Sequence, residues 1–135
     1  MNYSNQIKSS FVTLWNASQS IDLHPWQWVS PTQIGGPALP YATIRVIPLD
    51  KEYFSILMCR QEYLVEIKIY AGPDSGDLLS LANIACSIFD RATLNIPVIA
   101  IRPEPEDNQI EEETIGGQIC QTQTLRWSVQ LQQGL

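Results

Sequence analysis

The sequence predicts an α+β domain: an antiparallel sheet of about four to five strands with two helices packed on one face. Three observations carry that expectation. Apolar residues recur at helical spacing in two well-separated segments, 3–19 and 77–92. Apolar and polar residues alternate over 63–70 and again over 119–131. Strand-like segments follow one another without a helix between each pair, unlike the βαβ order of a parallel sheet. A length of 135 residues suits a single domain, 1–135. An apolar content of 44% is enough to build a core.

The elements follow in order. In residues 3–19, Ile7, Phe11, Leu14 and Trp15 fall on one helical face, and Ser4 is the expected N-cap. Residues 23–40 hold Pro25, Pro31, Pro37, Pro40 and the Gly35-Gly36 pair, so a long irregular loop is expected, carrying Trp26 and Trp28. The sheet and helix core is then expected over 41–131. Residues 41–47 read as a strand, with Ala42, Ile44 and Val46 facing one way and Thr43 and Arg45 the other. Residues 54–58 form a short apolar run. In 63–70, Tyr63, Val65, Ile67 and Ile69 alternate with Leu64, Glu66, Lys68 and Tyr70. A turn at Gly72-Pro73 leads to the second helix, striped by Leu78, Leu81, Ala82, Ala85, Ile88 and Phe89. Asp74 or Ser75 is its expected cap, with Asp77 at the positive end of the helix dipole. Residues 98–102 form a strand that Pro103 and Pro105 are expected to end. Residues 104–113 are acidic, Gly116-Gly117 turns the chain, and 119–131 make the longest strand.

Charge and cysteine usage exclude several classes. Eight Lys and Arg against 14 Asp and Glu give a net charge of −6, the wrong sign for gripping a DNA backbone. Only 16% of residues are charged, below the usual quarter, a balance compatible with a surface partly covered by partners. No apolar run approaches the roughly 20 residues of a membrane helix. Residues 1–10 lack a signal-peptide core, and Cys59, Cys86 and Cys120 are too few and too scattered for a disulfide framework. A reducing cytoplasm is the expected setting.

The search for chemistry gives few candidates. His24 is the only histidine, and no orienting partner is identifiable by spacing. The three cysteines lack the close pairs of a zinc site. Asp50, Glu66 and Lys68 resemble the Asp…Glu-x-Lys core of restriction-endonuclease-like nucleases, where two carboxylates hold Mg²⁺ and a lysine lies near the attacking water. The competing explanation is a strand face with alternating charges. Glu104, Glu106, Asp107, Glu111, Glu112 and Glu113 read as a solvated hairpin arm rather than paired catalytic acids. Trp15 and Trp127 are expected in the core. Trp26 and Trp28, in the proline-rich loop, divide evenly between core and protein docking.

Taken together, the order of segments resembles the tail terminator, or tail completion, proteins of long-tailed bacteriophages. The resemblance rests on the N-terminal helix, on Pro40-Tyr41-Ala42-Thr43-Ile44-Arg45-Val46 opening the sheet, and on Tyr63-Leu64-Val65-Glu66-Ile67-Lys68-Ile69-Tyr70. It continues through the Gly/Pro/Asp turn into an apolar helix and closes with Leu125-Arg126-Trp127-Ser128-Val129-Gln130. That family has no invariant catalytic motif. The resemblance implies a structural virion protein, non-enzymatic and without cofactor or metal, assembled in the host cytoplasm. It implies a hexameric ring of identical subunits that caps the tail tube or sheath and meets neck and connector proteins. DNA would pass through without specific binding, and no membrane is involved. Trp26, Trp28, Pro31, Ile34 and Tyr41 are then the interface candidates, and the six acidic residues line the channel or form an arm. The alternatives are a head-completion or connector protein of the neck, the Mg²⁺-dependent nuclease of Asp50, Glu66 and Lys68, and a small cytoplasmic binding module with Trp26 and Trp28 on a pocket lid.

Overall fold

Two long strands, β3 (Met58–Ala71) and β6 (Gln118–Gly134), pair antiparallel over most of their length and form the centre of the sheet. The computed structural model describes residues 3–19, 21–26, 39–53, 58–73, 76–90, 98–104, 110–115 and 117–134. Strand β2 (Tyr41–Tyr53) pairs antiparallel with β3, and β1 (Leu23–Pro25) adds to β2 in parallel. On the far edge of β6, β4 (Val98–Glu104) and β5 (Glu111–Ile115) follow one another, opposite residues 126–131 and 118–122. The described sheet thus has six strands in the order β1-β2-β3-β6-β4, with β5 also on β6. Helices α1 (Ser4–Ser18) and α2 (Asp77–Phe89) complete an α+β fold.

The helices cover the apolar face that strand alternation creates. Ile7, Phe11 and Trp15 of α1 and Leu78, Leu81, Ala82, Ala85 and Phe89 of α2 pack on Ile44, Val65, Ile67, Trp127 and Val129. Phe11 stacks on Phe89 at 4.5 Å between ring centroids, and Phe89 meets Trp127 edge-on at 5.1 Å. Both tryptophans are fully buried and both have a polar partner, as a buried indole N–H requires. Trp15 Nε1 donates to the Ile21 carbonyl at 2.8 Å and Trp127 Nε1 to Asp90 Oδ1 at 2.9 Å. Both were expected in the core.

Several local expectations are corrected. Tyr3, not Ser4, is the N-cap of α1, and no side chain caps that end. Its backbone N–H donates to the Tyr63 hydroxyl at 3.0 Å instead, so a tertiary contact does the capping. At α2 the N-cap is Gly76, with φ +76°, a conformation glycine adopts without strain. Asp74 and Ser75 lie outside the described residues. The irregular segment 23–40 begins with a strand: three residues with a proline carry no alternation that could announce β1. Strand β2 runs past Ile47 and Pro48 to Tyr53, with one extra residue between Pro48 and Lys51 against β3. The buried Gln61 amide holds this bulge by donating to the Leu49 carbonyl at 2.7 Å and the Asp50 carbonyl at 3.3 Å. Pro103 does not end β4 but sits inside it, which an edge strand tolerates.

Candidate functional site

The sheet face opposite the helices carries charges arranged by register. Arg45 on β2 stands opposite Glu66 on β3, Glu66 opposite Arg126 on β6, and Arg126 opposite Glu104 on β4. Signs therefore alternate across four strands, the favourable cross-strand order. Arg45 donates through Nε and Nη2 to Glu66 Oε1, both at 2.9 Å, and Arg126 Nε donates to Oε2 at 3.0 Å. The Glu66 side chain is only 4% exposed, against 43% for Arg45 and 27% for Arg126. The row ends on the Trp26 ring, 4.2 Å from the Arg45 guanidinium carbon, a cation–π contact.

A second cluster fixes the hairpin of β5 and β6. Pairing with β3 ends at Ala71 opposite Gln121, so residues 118–120 of β6 and their β5 partners overhang the sheet by roughly 10 Å. Lys68 on β3 reaches the overhang: its Nζ lies 2.8 Å from Glu113 Oε1. Beneath this pair Tyr41 stacks on Tyr70 at 4.5 Å, beside buried Cys120, whose thiol donates to the Glu113 carbonyl at 3.5 Å. Burial raises the Tyr41 hydroxyl well above the usual tyrosine range, and the charges of Cys120, Tyr70 and Glu113 add to it. Burial likewise raises Tyr70, against the opposing pull of Lys68. For Lys68 burial works against the charge, but the hydrogen bond to Glu113 and the negative neighbours outweigh it and raise the value. Burial also raises the Cys120 thiol.

All four shifts point the same way in pH. The raised lysine contributes stability that is complete below its ordinary value and lost as pH rises through the raised one. The raised tyrosines stay neutral in the fold while the unfolded chain ionises near pH ~10, which pulls the equilibrium toward unfolding. Stability is therefore expected to fall as pH climbs above about 10, read as a dropping urea midpoint. Tyr41→Phe should make that fall less steep; an unchanged slope would mean that Tyr41 ionises as freely in the fold as outside it.

The other sequence candidates distribute as follows. Trp26 is half-buried on Arg45, while Trp28, Pro31 and Ile34 lie outside the described residues. Tyr41, expected at an interface, is 3% exposed and packs within the chain. Glu111 and Glu112 are exposed on β5 and Glu104 is half-buried across from Arg126. Glu113 is no solvated acid but turns in to Lys68, because alternate residues of β5 face the sheet's polar side. Glu106 and Asp107 lie outside the described residues. Asp50, Glu66 and Lys68 are not brought together. Asp50 is exposed beside the bulge, five residues along β2 from Arg45 and so roughly 16 Å from Glu66's row. Glu66 is held by two arginines and Lys68 by Glu113. Among the described residues no group of three or more His, Cys, Asp and Glu side chains is placed to hold a metal ion, and the three thiols are free.

Sequence reading overlooked Arg45 and Arg126 as partners of Glu66. Their shared parity on the polar face was visible, but the register that aligns them was not. No family model and no curated protein matches the chain. Among the described residues no helix is long and apolar enough to cross a membrane.

Proposed function

We propose that this chain is a structural subunit of a long-tailed bacteriophage virion: a tail terminator that closes into a hexameric ring, caps the tail tube or sheath, and joins it to the neck. The supporting observation is a sheet with two unlike open edges, β2 beyond Ile44 on one side and β4 with β5 on the other, among the described residues. A ring needs two different patches on one subunit that meet and close by rotation. The polar face pairs its own charges and anchors the overhanging hairpin, as a subunit that is assembled rather than reactive would need. A net charge of −6 keeps such a ring from holding the DNA that passes through it.

Negative-stain images of the purified protein, alone and with isolated tail tubes, test this reading. The expected result is a six-fold ring with a central hole and a mass six times the 15.2 kDa chain. A protein that stays monomeric in both settings would overturn it, as would plasmid cleavage with Mg²⁺ that Lys68→Ala abolishes. A ring that binds the connector but not the tube would move the subunit to the head-completion position.

A further inference from the structure

An open cleft of about 180 Å³ lies where α1 begins, lined by Ser4, Asn5, Lys8, Ile44, Arg45 and Val46. It forms because β1 stops pairing at Pro25 opposite Ile44, so from Arg45 onward no strand covers the outer side of β2 among the described residues. The two charged residues that line the cleft, Lys8 and Arg45, are both basic. Lys8 is half-buried and has no ion-pair partner among the described residues. The Arg45 guanidinium keeps donors beyond the two that bind Glu66. The first turn of α1 carries no acidic side chain and no side-chain cap. The volume falls below the roughly 300 Å³ at which small-molecule pockets begin. It suits one or two acidic side chains entering from an unpaired strand edge.

We infer that the acidic strand β5 of a second copy docks in this cleft, against the open edge of β2. This rests on the ring reading and names the two patches that meet. Glu111 and Glu112 are exposed on β5 and have no basic partner among the described residues. The outer side of β5 is unpaired as well. A subunit cannot fill its own cleft, because β3 and β6 separate β2 from β5 by roughly 14 Å of sheet. Charge also sets the alignment. Asp50 and Glu52, farther along β2, repel the carboxylates, so Glu111 and Glu112 sit at the Lys8 and Arg45 end. Thr114 and Ile115 then run toward Ile47 and the exposed Leu49. The contact joins unlike surfaces, so repetition proceeds head to tail.

Charge exchange followed by sedimentation velocity tests the contact. Lys8→Glu should weaken self-association about 10-fold or more, and so should Glu111→Lys with Glu112→Lys, because each places like charges face to face. Mixing the two variants in equal amounts should restore association to within about threefold of wild type, since each now complements the other. The chain carrying all three substitutions should also assemble. Where the wild type associates only on tube ends, the same comparison is read as subunits bound per end, and far-UV circular dichroism confirms that each variant is folded. Reversals that leave association unchanged overturn the contact while leaving the ring reading intact. Weakened association that neither mixing nor the triple variant restores also overturns it, because the cleft and β5 then do not face each other. A wild type that is monomeric alone and on tube ends removes both.

Discussion

Trp127→Ala is expected to destabilise the protein by about 4 kcal/mol, the cost of emptying a large buried aromatic site. The indole is 1% exposed and lies at the meeting point of both helices and the central strand β6. Its removal opens a cavity between Phe11, at 6.2 Å between ring centroids, and Phe89, at 5.1 Å. Those rings are held by separate helices, so the gap cannot close without moving one of them. The change also strips Asp90 of its hydrogen bond beyond the end of α2. Against the 5–15 kcal/mol typical of a domain, the variant keeps only a fraction of its stability. Trp127→Phe separates the two contributions: it retains most of the ring contact and loses the N–H, at about 1–2 kcal/mol. Urea unfolding followed by circular dichroism measures both. A loss below about 1 kcal/mol for the alanine variant would show that this aromatic contact does not join the layers.

Glu66→Ala is the second. It leaves two guanidinium groups, on the strands β2 and β6 that flank β3, with no anion between them. Removing one partner of a buried pair costs about 3–5 kcal/mol when the other stays buried. Arg45 is 43% exposed and can turn to water, so an effect at or below the lower end, about 2–3 kcal/mol, is expected. The control is the triple exchange Arg45→Met, Glu66→Leu, Arg126→Met, which removes all three charges together. It should recover most of the loss, because an apolar replacement no longer has charges to desolvate. If Glu66→Ala and the triple exchange are equally unstable, packing rather than charge accounts for the role of Glu66. A Glu66→Ala variant as stable as wild type would mean the arginines find other partners readily.

These two residues differ in how far the sequence reveals them. Trp127 belongs to a strict alternation with Leu125, Val129 and Leu131, and its burial follows from that pattern alone. The same holds for Ile7, Phe11 and Trp15 on α1. Glu66 also lies on a legible strand, but alternation puts it on the polar face, where a carboxylate is expected in water. Its near-complete burial depends on arginines from β2 and β6 closing over it, 21 and 60 residues away in sequence. Tyr41 misleads for the same reason. It stands next to a proline-rich loop and reads as an exposed aromatic, yet β3 brings Tyr70 against its ring. Lys68 and Glu113 were each visible as charges, but nothing local says that an acidic segment returns to lie beside β3.

The amino-acid sequence by itself determined the two helices, the apolar side of each strand and the α+β order, because these follow from periodicities of a few residues. It also set the anionic balance and the absence of close metal-ligand spacing. Only the tertiary structure decided which strands are neighbours and in what register. From that came the Arg45–Glu66–Arg126 row, the anchored hairpin, the bulge under Gln61 and the cleft beside Lys8. Register is a relation between distant segments: a one-residue slip would turn every one of those side chains to the other face. It is set when whole strands choose the alignment that buries their apolar sides under the helices. No window of neighbouring residues contains that choice.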